Sequence, residues 1–430
     1  MQDAPIKPLD PTAPAANASN LTRNFGILLV GEVVSKVIGF FVFGRLGRVL
    51  GDSCYGELEF AFATTTIAAL LADAGLVVFG ARAVARDPST ARSLMPSFFV
   101  LRGALVVLSL IAIGLIAASG RGASPAILLA CGLVLLPVPF VCDWFFQGRD
   151  EMVVVTISNV VRQSCLLVGV LLFVDAPSHA WRVPIADAVG LAVVAGLHQV
   201  LLGRRCGRWA WKGALNRAQA VVREAAPLGL STVAWAVRFW APMVFVGMTT
   251  TGGFKGQYGA AHRLAVAMHQ VVFLYFYNLL PTWSRLATTG DSRIPDALRS
   301  AVRRSTWISL AGAILMITTT WLLAPDVIRL LGYGAEFEKS ADILRWLCVV
   351  PAVAWISGNA RFGLIAAGNS RGDMWANAAG AACVVGAYFA WIHSAETVVV
   401  PAFIAAEVVT GLVALGLWSM RSNSKLAIRV

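Results

Sequence analysis

Residues 225–249 read AAPLGLSTVAWAVRFWAPMVFVGMT, and in twenty-five positions they carry a single charge, Arg238. About 20 apolar residues of helix cross the hydrocarbon core of a bilayer, so this run is long enough to span one. Runs of the same kind recur near 24–44, 56–81, 93–118, 124–146, 152–174, 182–203, 257–283, 303–325, 341–366, 374–394 and 397–418, which makes twelve in all. Of the 430 residues, 58% are hydrophobic and 13% charged, about half the charge of a typical soluble domain. Lipid is therefore the solvent for most of the chain. The runs are apolar on all sides, which specifies helices rather than the alternating strands of a barrel. The sequence predicts an all-α polytopic membrane protein with twelve transmembrane helices.

The basic residues sort by this map. With the N-terminus placed in the cytoplasm, the inner loops and tails hold 21 of the 35 Lys and Arg, the outer loops hold seven and the spans hold seven. That bias follows the positive-inside rule and places both termini in the cytoplasm. The net charge of +12 is then topology and needs no nucleic-acid partner. Residues 204–224, RRCGRWAWKGALNRAQAVVRE, alternate basic, Trp and apolar positions, as in an amphipathic helix lying on the inner leaflet among membrane lipids. This linker separates six spans in 24–203 from six in 225–418. Residues 1–23 read as a flexible cytoplasmic tail rather than a signal peptide, and 419–430 as a second short tail. The seven cysteines are scattered, without a CxxC pair, and read as packing residues rather than disulfides or metal ligands.

The two halves carry one matching pattern. Tyr55-Gly56 opens the second span and Arg82 follows 26 residues after the glycine; Tyr258-Gly259 opens the eighth and Arg285 follows at the same interval. Two six-helix repeats are a common transporter plan, with the substrate site at their interface near the midplane.

Seven cations lie within spans: Lys36, Arg102, Arg162, Arg238, Arg263, Arg345 and Arg361. Each costs about 2.5–3.5 kcal/mol at a helix centre. Arg345 and Arg361 lie close to a surface, where a long side chain can snorkel, and Arg102 and Arg263 are intermediate. Lys36, Arg162 and Arg238 are too deep to reach water along lipid and should point into the bundle. The acids recognised within spans are Glu32, Asp73, Asp143, Asp187 and Glu407. Glu32 and Lys36, four apart, either neutralise each other or leave the lysine to meet a ligand. Lys36 and Arg238 occupy nearly equivalent places in the two halves, where they would face one cavity. Arg238 pairs either with Asp73, Asp143 or Glu407 from another helix, or with an anion brought by the cargo. His262 and His269, seven apart on one helix face, suit either a proton relay or polar packing.

No Walker A loop is present, so the chain has no ATPase of its own. GNSRG at 368–372 fits the GxSxG pattern around Ser370, but it falls in a short turn between spans rather than on a strand–turn–helix elbow. No outer loop is long enough to fold an extracytoplasmic catalytic domain.

Residues 44–87, GRLGRVLGDSCYGELEFAFATTTIAALLADAGLVVFGARAVARD, resemble the start of polysaccharide-transport family proteins. These are lipid-linked oligosaccharide flippases of the multidrug/oligosaccharidyl-lipid/polysaccharide exporter (MOP) superfamily. The pattern falls on Arg45, Leu46-Gly47, Tyr55-Gly56, Asp73 with Gly75, and Arg82, Arg86 and Asp87. FFQGRDEM at 145–152 looks like the family's turn between helices four and five, and AAGNSRGDM at 366–374 like its repeat counterpart.

The resemblance implies a V-shaped, alternating-access transporter of two six-helix lobes related by a pseudo-two-fold axis. Its cargo would be a polyprenyl-pyrophosphate-linked oligosaccharide, turned from the inner to the outer leaflet of the bacterial inner membrane for cell-surface polysaccharide synthesis. The family's cationic cavity agrees with the excess of mid-membrane cations counted above. Lys36, Arg162 and Arg238 would then bind the pyrophosphate headgroup, with Arg102 and Arg263 on the cavity wall, since arginine offers paired donors to phosphate oxygens. Turnover would draw on an H+ or Na+ gradient or on consumption of product, with Glu32, Asp73 and Glu407 as ion-coupling candidates and no other cofactor. A polysaccharide polymerase and a chain-length regulator would be its partners. The competing readings are a drug or cation antiporter of the same superfamily, which should prefer an anionic cavity, and a membrane glycan polymerase, ligase or assembly scaffold.

Overall fold

The computed structural model describes residues 18–206, 209–287 and 294–423, all helix and loop without a β-strand. The rest of the two expected tails, 1–17 and 424–430, lies outside the described residues. The helices are α1 (Ala18–Asp73), α2 (Leu76–Arg86), α3 (Ala91–Ala118), α4 (Pro125–Leu133), α5 (Asp143–Gly148), α6 (Met152–Phe173) and α7 (Arg182–Cys206), then α8 (Ala214–Thr249), α9 (Phe254–Leu286), α10 (Asp296–Leu330), α11 (Glu338–Leu347), α12 (Val349–Ala366), α13 (Ser370–Ala390) and α14 (Ala395–Asn423).

Among the described residues, ten helical stretches are long and apolar enough to cross a membrane. The first, Val30–Arg86, has 57 residues, a rise of about 85 Å against a hydrocarbon core of about 30 Å. It turns back at Gly51, whose φ of 69° and ψ of 169° are open essentially only to glycine, so it supplies two passes. α13 is the twelfth; its polar Arg371, Asp373 and Asn377 hold it below the other spans in apolarity. Exposed tryptophans mark the span ends on both sides, Trp211, Trp307 and Trp375 on the side of the linker and Trp181, Trp321, Trp346 and Trp391 on the far side, as in an interfacial aromatic belt.

α1–α7 form one six-span lobe and α8–α14 the other, with α8 and α9 packed across on α1. One turn is built identically in both lobes. The Glu151 amide donates to Phe146 O at 2.8 Å and the Asn369 amide to Leu364 O at 2.8 Å, the six-to-one bond of a Schellman cap. Asp150 (φ 57°) and Gly368 (φ 75°) supply the left-handed residue before each amide. The serine of GNSRG follows the second of these caps, with the Asn369 side chain accepting from the Gly372 amide at 3.2 Å.

Three expectations are corrected. The amphipathic linker helix is not separate: α7 runs to Cys206 and the first turns of α8 continue into the seventh span, with buried Ala214, Ala218, Val221 and Ala225 holding those turns to the first lobe. α1 is already helical at residues 18–23 and α14 runs on to Asn423, so both spans enter the segments read as tails. The second and fourth spans are not single helices. The second breaks at Ala74 (φ 43°) and Gly75 (φ 76°), where a side chain on Gly75 would stand 2.7 Å from the Gly229 amide nitrogen of α8. Gly75→Ala combines a left-handed backbone with that collision, and is expected to cost about 2–3 kcal/mol, read as a fall in the thermal unfolding temperature in detergent.

Candidate functional site

Exposure at mid-membrane depth locates the site, because a polar side chain facing hydrocarbon is costly. On α1 the exposed apolar residues Val30, Val33, Val34, Val37 and Phe41 form one stripe, the lipid face. Gly31, Ser35 and Gly39 repeat every fourth residue on another face, the small-xxx-small spacing that lets helices approach closely. They meet α6, where a side chain on Gly31 would collide with Thr156 and one on Gly39 would lie 3.9 Å from Gln163 Oε1. Glu32 and Lys36 lie about 120–160° round from the lipid stripe. They pair at 3.3 Å, yet their side chains stay 34% and 41% exposed.

α6 repeats the arrangement. Its lipid stripe is Val153, Ile157, Val168, Leu171 and Leu172. Asn159 and Arg162 lie about 140–160° away, Asn159 exposed and Arg162 half-exposed. Arg162 is held by Asp187 of α7, Nε and Nη2 each donating to one carboxylate oxygen at 2.8 Å. The carboxylate fixes one edge of the guanidinium, and Nη1 forms no hydrogen bond among the described residues. Lys36 and Arg162 thus stand on one wall of the first lobe, facing away from lipid.

The other expected cations are placed differently. Arg102 is 3% exposed and is consumed by the fourth span, which unwinds between α4 and α5. Freed backbone groups there need partners in a membrane. Arg102 Nη1 donates to Val141 O at 2.7 Å, Gln199 Nε2 donates to Phe140 O at 2.7 Å, and the Cys142 amide donates to His198 Nδ1 at 3.0 Å. That last bond leaves the proton of a neutral His198 on Nε2, beside Ser158 Oγ at 2.9 Å. Arg102 Nη2 also donates to Asp73 at 2.6 Å. Arg263 bridges the lobes: it grips Glu59 of α1 with two bonds of 2.7 and 2.9 Å and lies 3.3 Å from the centroid of the Phe43 ring.

Arg238 is fully buried against Glu407 of α14, Nη1 to Oε2 at 3.1 Å. The two are close without the alignment of a hydrogen bond, and no side-chain nitrogen or oxygen of either has a hydrogen-bond partner among the described residues. A side chain on Gly380 would collide with Thr410 and stand 2.8 Å from Arg238 Cδ, so only glycine lets the arginine pass α13. Beside it Arg361 donates to Asp373 at 2.8 Å and to Asn377 Oδ1 at 3.1 Å, and Ser231 donates to Asp373 at 3.2 Å. Lys36 and Arg238 therefore do not face one cavity in this conformation: the first is open and the second enclosed.

The expected excess of central cations is also absent. Each of the seven pairs with a carboxylate, and three of the acids, Glu59, Asp342 and Asp373, were not counted within spans. Glu59 was visible inside the second span; Asp373 falls one residue before the boundary drawn for the eleventh. The coupling candidates Glu32, Asp73 and Glu407 are the partners of Lys36, Arg102 and Arg238. His262 and His269 are buried among aromatic rings, with His262 Nε2 donating to Phe239 O at 2.9 Å, which is polar packing.

The lobes meet on the far side at a tight seam. Tyr55 and Tyr333 share a hydroxyl hydrogen bond of 2.9 Å, and Lys255 Nζ donates to Gly122 O at 3.0 Å. A side chain on Gly56 would lie 2.5 Å from the Gly256 amide nitrogen.

A family described as polysaccharide biosynthesis protein matches residues 21–287, more than half of the chain. No protein with a curated description matches the sequence. A multidrug resistance MATE family transporter of the MOP superfamily, solved in an inward-facing conformation, superposes with a TM-score of 0.68 at 14% identity, over 93% of this chain and 100% of its own. The lipid II flippase MurJ, in an inward closed conformation, gives 0.69 at 12% identity over 91% and 87%. A MOP superfamily transporter from Pyrococcus furiosus, described as having a binding pocket of reverse polarity, gives 0.63 at 14% identity over 94% and 96%. At these identities the likeness shows a shared fold.

Proposed function

Because the chain belongs to the polysaccharide biosynthesis protein family and has the fold of MOP superfamily transporters, we propose that it flips a polyprenyl-pyrophosphate-linked oligosaccharide from the inner to the outer leaflet of the bacterial inner membrane. Both termini would lie in the cytoplasm, the linker side facing inward. The observation that carries this reading is the wall of the first lobe, where Lys36 and Arg162 stand half-exposed at mid-membrane depth. Arg162 is held at one edge and free at the other, which suits it to a phosphate oxygen. Of the five cations first considered, these two are the headgroup ligands we propose. Arg263 belongs to the seam between lobes, and Arg102 and Arg238 are enclosed. MurJ, a lipid II flippase of this fold, supports a lipid-linked cargo. An H+ or Na+ gradient, acting through Glu32, Asp73 or Glu407, or consumption of the product by a polymerase and chain-length regulator, would drive turnover.

The test is reconstitution in liposomes with a fluorescent polyprenyl-pyrophosphate sugar. Arg162→Ala and Lys36→Ala are expected to lower turnover at subsaturating cargo at least tenfold, chiefly by weakening binding, with Arg162→Lys intermediate. Unchanged turnover by both alanine variants would remove the headgroup role. Efflux of a lipophilic cation without movement of the lipid-linked sugar would favour the drug antiporter.

A further inference from the structure

Asn159 is an exposed polar residue of α6 that the pyrophosphate reading leaves unused. It lies about 10 Å along α6 from the start of that helix, on the same face as Val155, Leu166 and Val170, which are buried. It forms no hydrogen bond among the described residues. An amide turned to hydrocarbon would be a standing cost, and its direction, about 160° from the lipid stripe, places it on the same wall as Lys36 and Arg162. Gln163, one turn further along and half-buried, has its Oε1 buried without a partner. Side chains four apart on a helix stand about 6 Å apart, close to the width of a pyranose ring. Asn159 offers a donor and an acceptor side by side, the complement of two neighbouring hydroxyls, while Gln163, whose Oε1 is turned to Gly39 of α1, offers the donor of its Nε2; neither carries a charge for a phosphate.

Resting on the flippase reading, we infer that Asn159 and Gln163 form a separate subsite for the neutral sugar next to the pyrophosphate. They bind its hydroxyl or acetamido groups while Lys36 and Arg162 bind the anion. The two subsites share α6, with Arg162 lying between the amides in sequence, so the sugar and the headgroup are read by adjacent turns of one helix.

Equilibrium binding to the full chain in detergent separates the two, with inorganic pyrophosphate and N-acetylglucosamine 1-diphosphate as probes. The wild type is expected to bind the sugar diphosphate about tenfold more tightly than pyrophosphate. Asn159→Leu with Gln163→Leu should abolish that difference and leave pyrophosphate affinity unchanged, which also shows that the variant keeps its folded wall. Asn159→Gln, which keeps the amide, should retain part of the difference. A wild type with no preference for the sugar diphosphate, or a double variant that keeps the preference or loses both ligands alike, overturns the sugar subsite. A wild type that binds both probes equally leaves the flippase reading in place, whereas Lys36→Ala and Arg162→Ala variants that keep full pyrophosphate affinity would strike that reading alone.

Discussion

Glu407→Ala is expected to lower the stability of the folded transporter by about 3–5 kcal/mol, because it leaves the Arg238 guanidinium buried without a counter-charge. Both side chains are completely enclosed. No hydrogen bond holds either of them among the described residues, and the next carboxylate, Asp373, is already engaged by Arg361. The loss should appear as a large fall in thermal unfolding temperature in detergent and in poor yield. Replacing both residues by apolar ones of similar volume, Arg238→Met with Glu407→Leu, should recover most of the stability, since a buried pair gains little over a packed apolar contact. Transport by the double variant then separates two roles. Restored stability with restored turnover makes the pair structural; restored stability without turnover makes it part of the transport cycle. A Glu407→Ala protein that melts like the wild type would mean that Arg238 is not enclosed as described.

Gly56→Val is expected to abolish closure of the far-side seam while leaving each lobe folded. The first atom of the new side chain would lie 2.5 Å from Gly256 N and 2.7 Å from Lys255 C, both backbone atoms of α9 that cannot rotate away. The same seam carries the Tyr55–Tyr333 hydrogen bond and the Glu59–Arg263 pair. Forcing it apart by an ångström or two therefore breaks several contacts together. Turnover should fall at least a hundredfold, about 2.7 kcal/mol against the closed state. Spin labels at exposed Ser53 and Lys339, one in each lobe, should report a longer distance in the variant than in the wild type. An unchanged distance would show that the seam is not what Gly56 serves.

The spans were legible because the bilayer imposes one length on every crossing, and residues 225–249 met it with a single charge. The turn between the first two spans was legible as a gap, since Arg45, Arg48 and Asp52 interrupt the apolar run, but the one backbone conformation at Gly51 that makes it has no signature in the pattern. The breaks in the second and fourth spans were not legible in their own residues. Pro137 and Pro139 mark the fourth, but what makes unwinding tolerable comes from Arg102, His198 and Gln199 on other helices. The cations stood out because each is expensive in lipid. Their partners did not, because pairing is decided across helices. In this conformation Arg238 meets Glu407, some 170 residues on, while Glu59 lies inside the second span with no cation within a turn of its own helix and Asp373 just outside the eleventh. Exposure, which distinguishes Lys36 and Arg162 from Arg102 and Arg238, is a property of neighbours and has no signature in either residue alone.

The unwound fourth span also bears on how the chain enters the membrane during synthesis. When residues 125–148 leave the ribosome, Arg102 has already been made, but His198 and Gln199 are some sixty residues away. Until α7 arrives, Phe140 O and the Cys142 amide have no partner from that helix, and hydrocarbon supplies none. The fourth span should therefore wait beside the translocation channel, or enter as a plain helix and unwind once the sixth span packs on it. Truncation of nascent chains between the fifth and sixth spans, followed by glycosylation mapping of engineered acceptor sites around residue 124, should catch this span only partly inserted. Completion of the sixth span should then fix it in place.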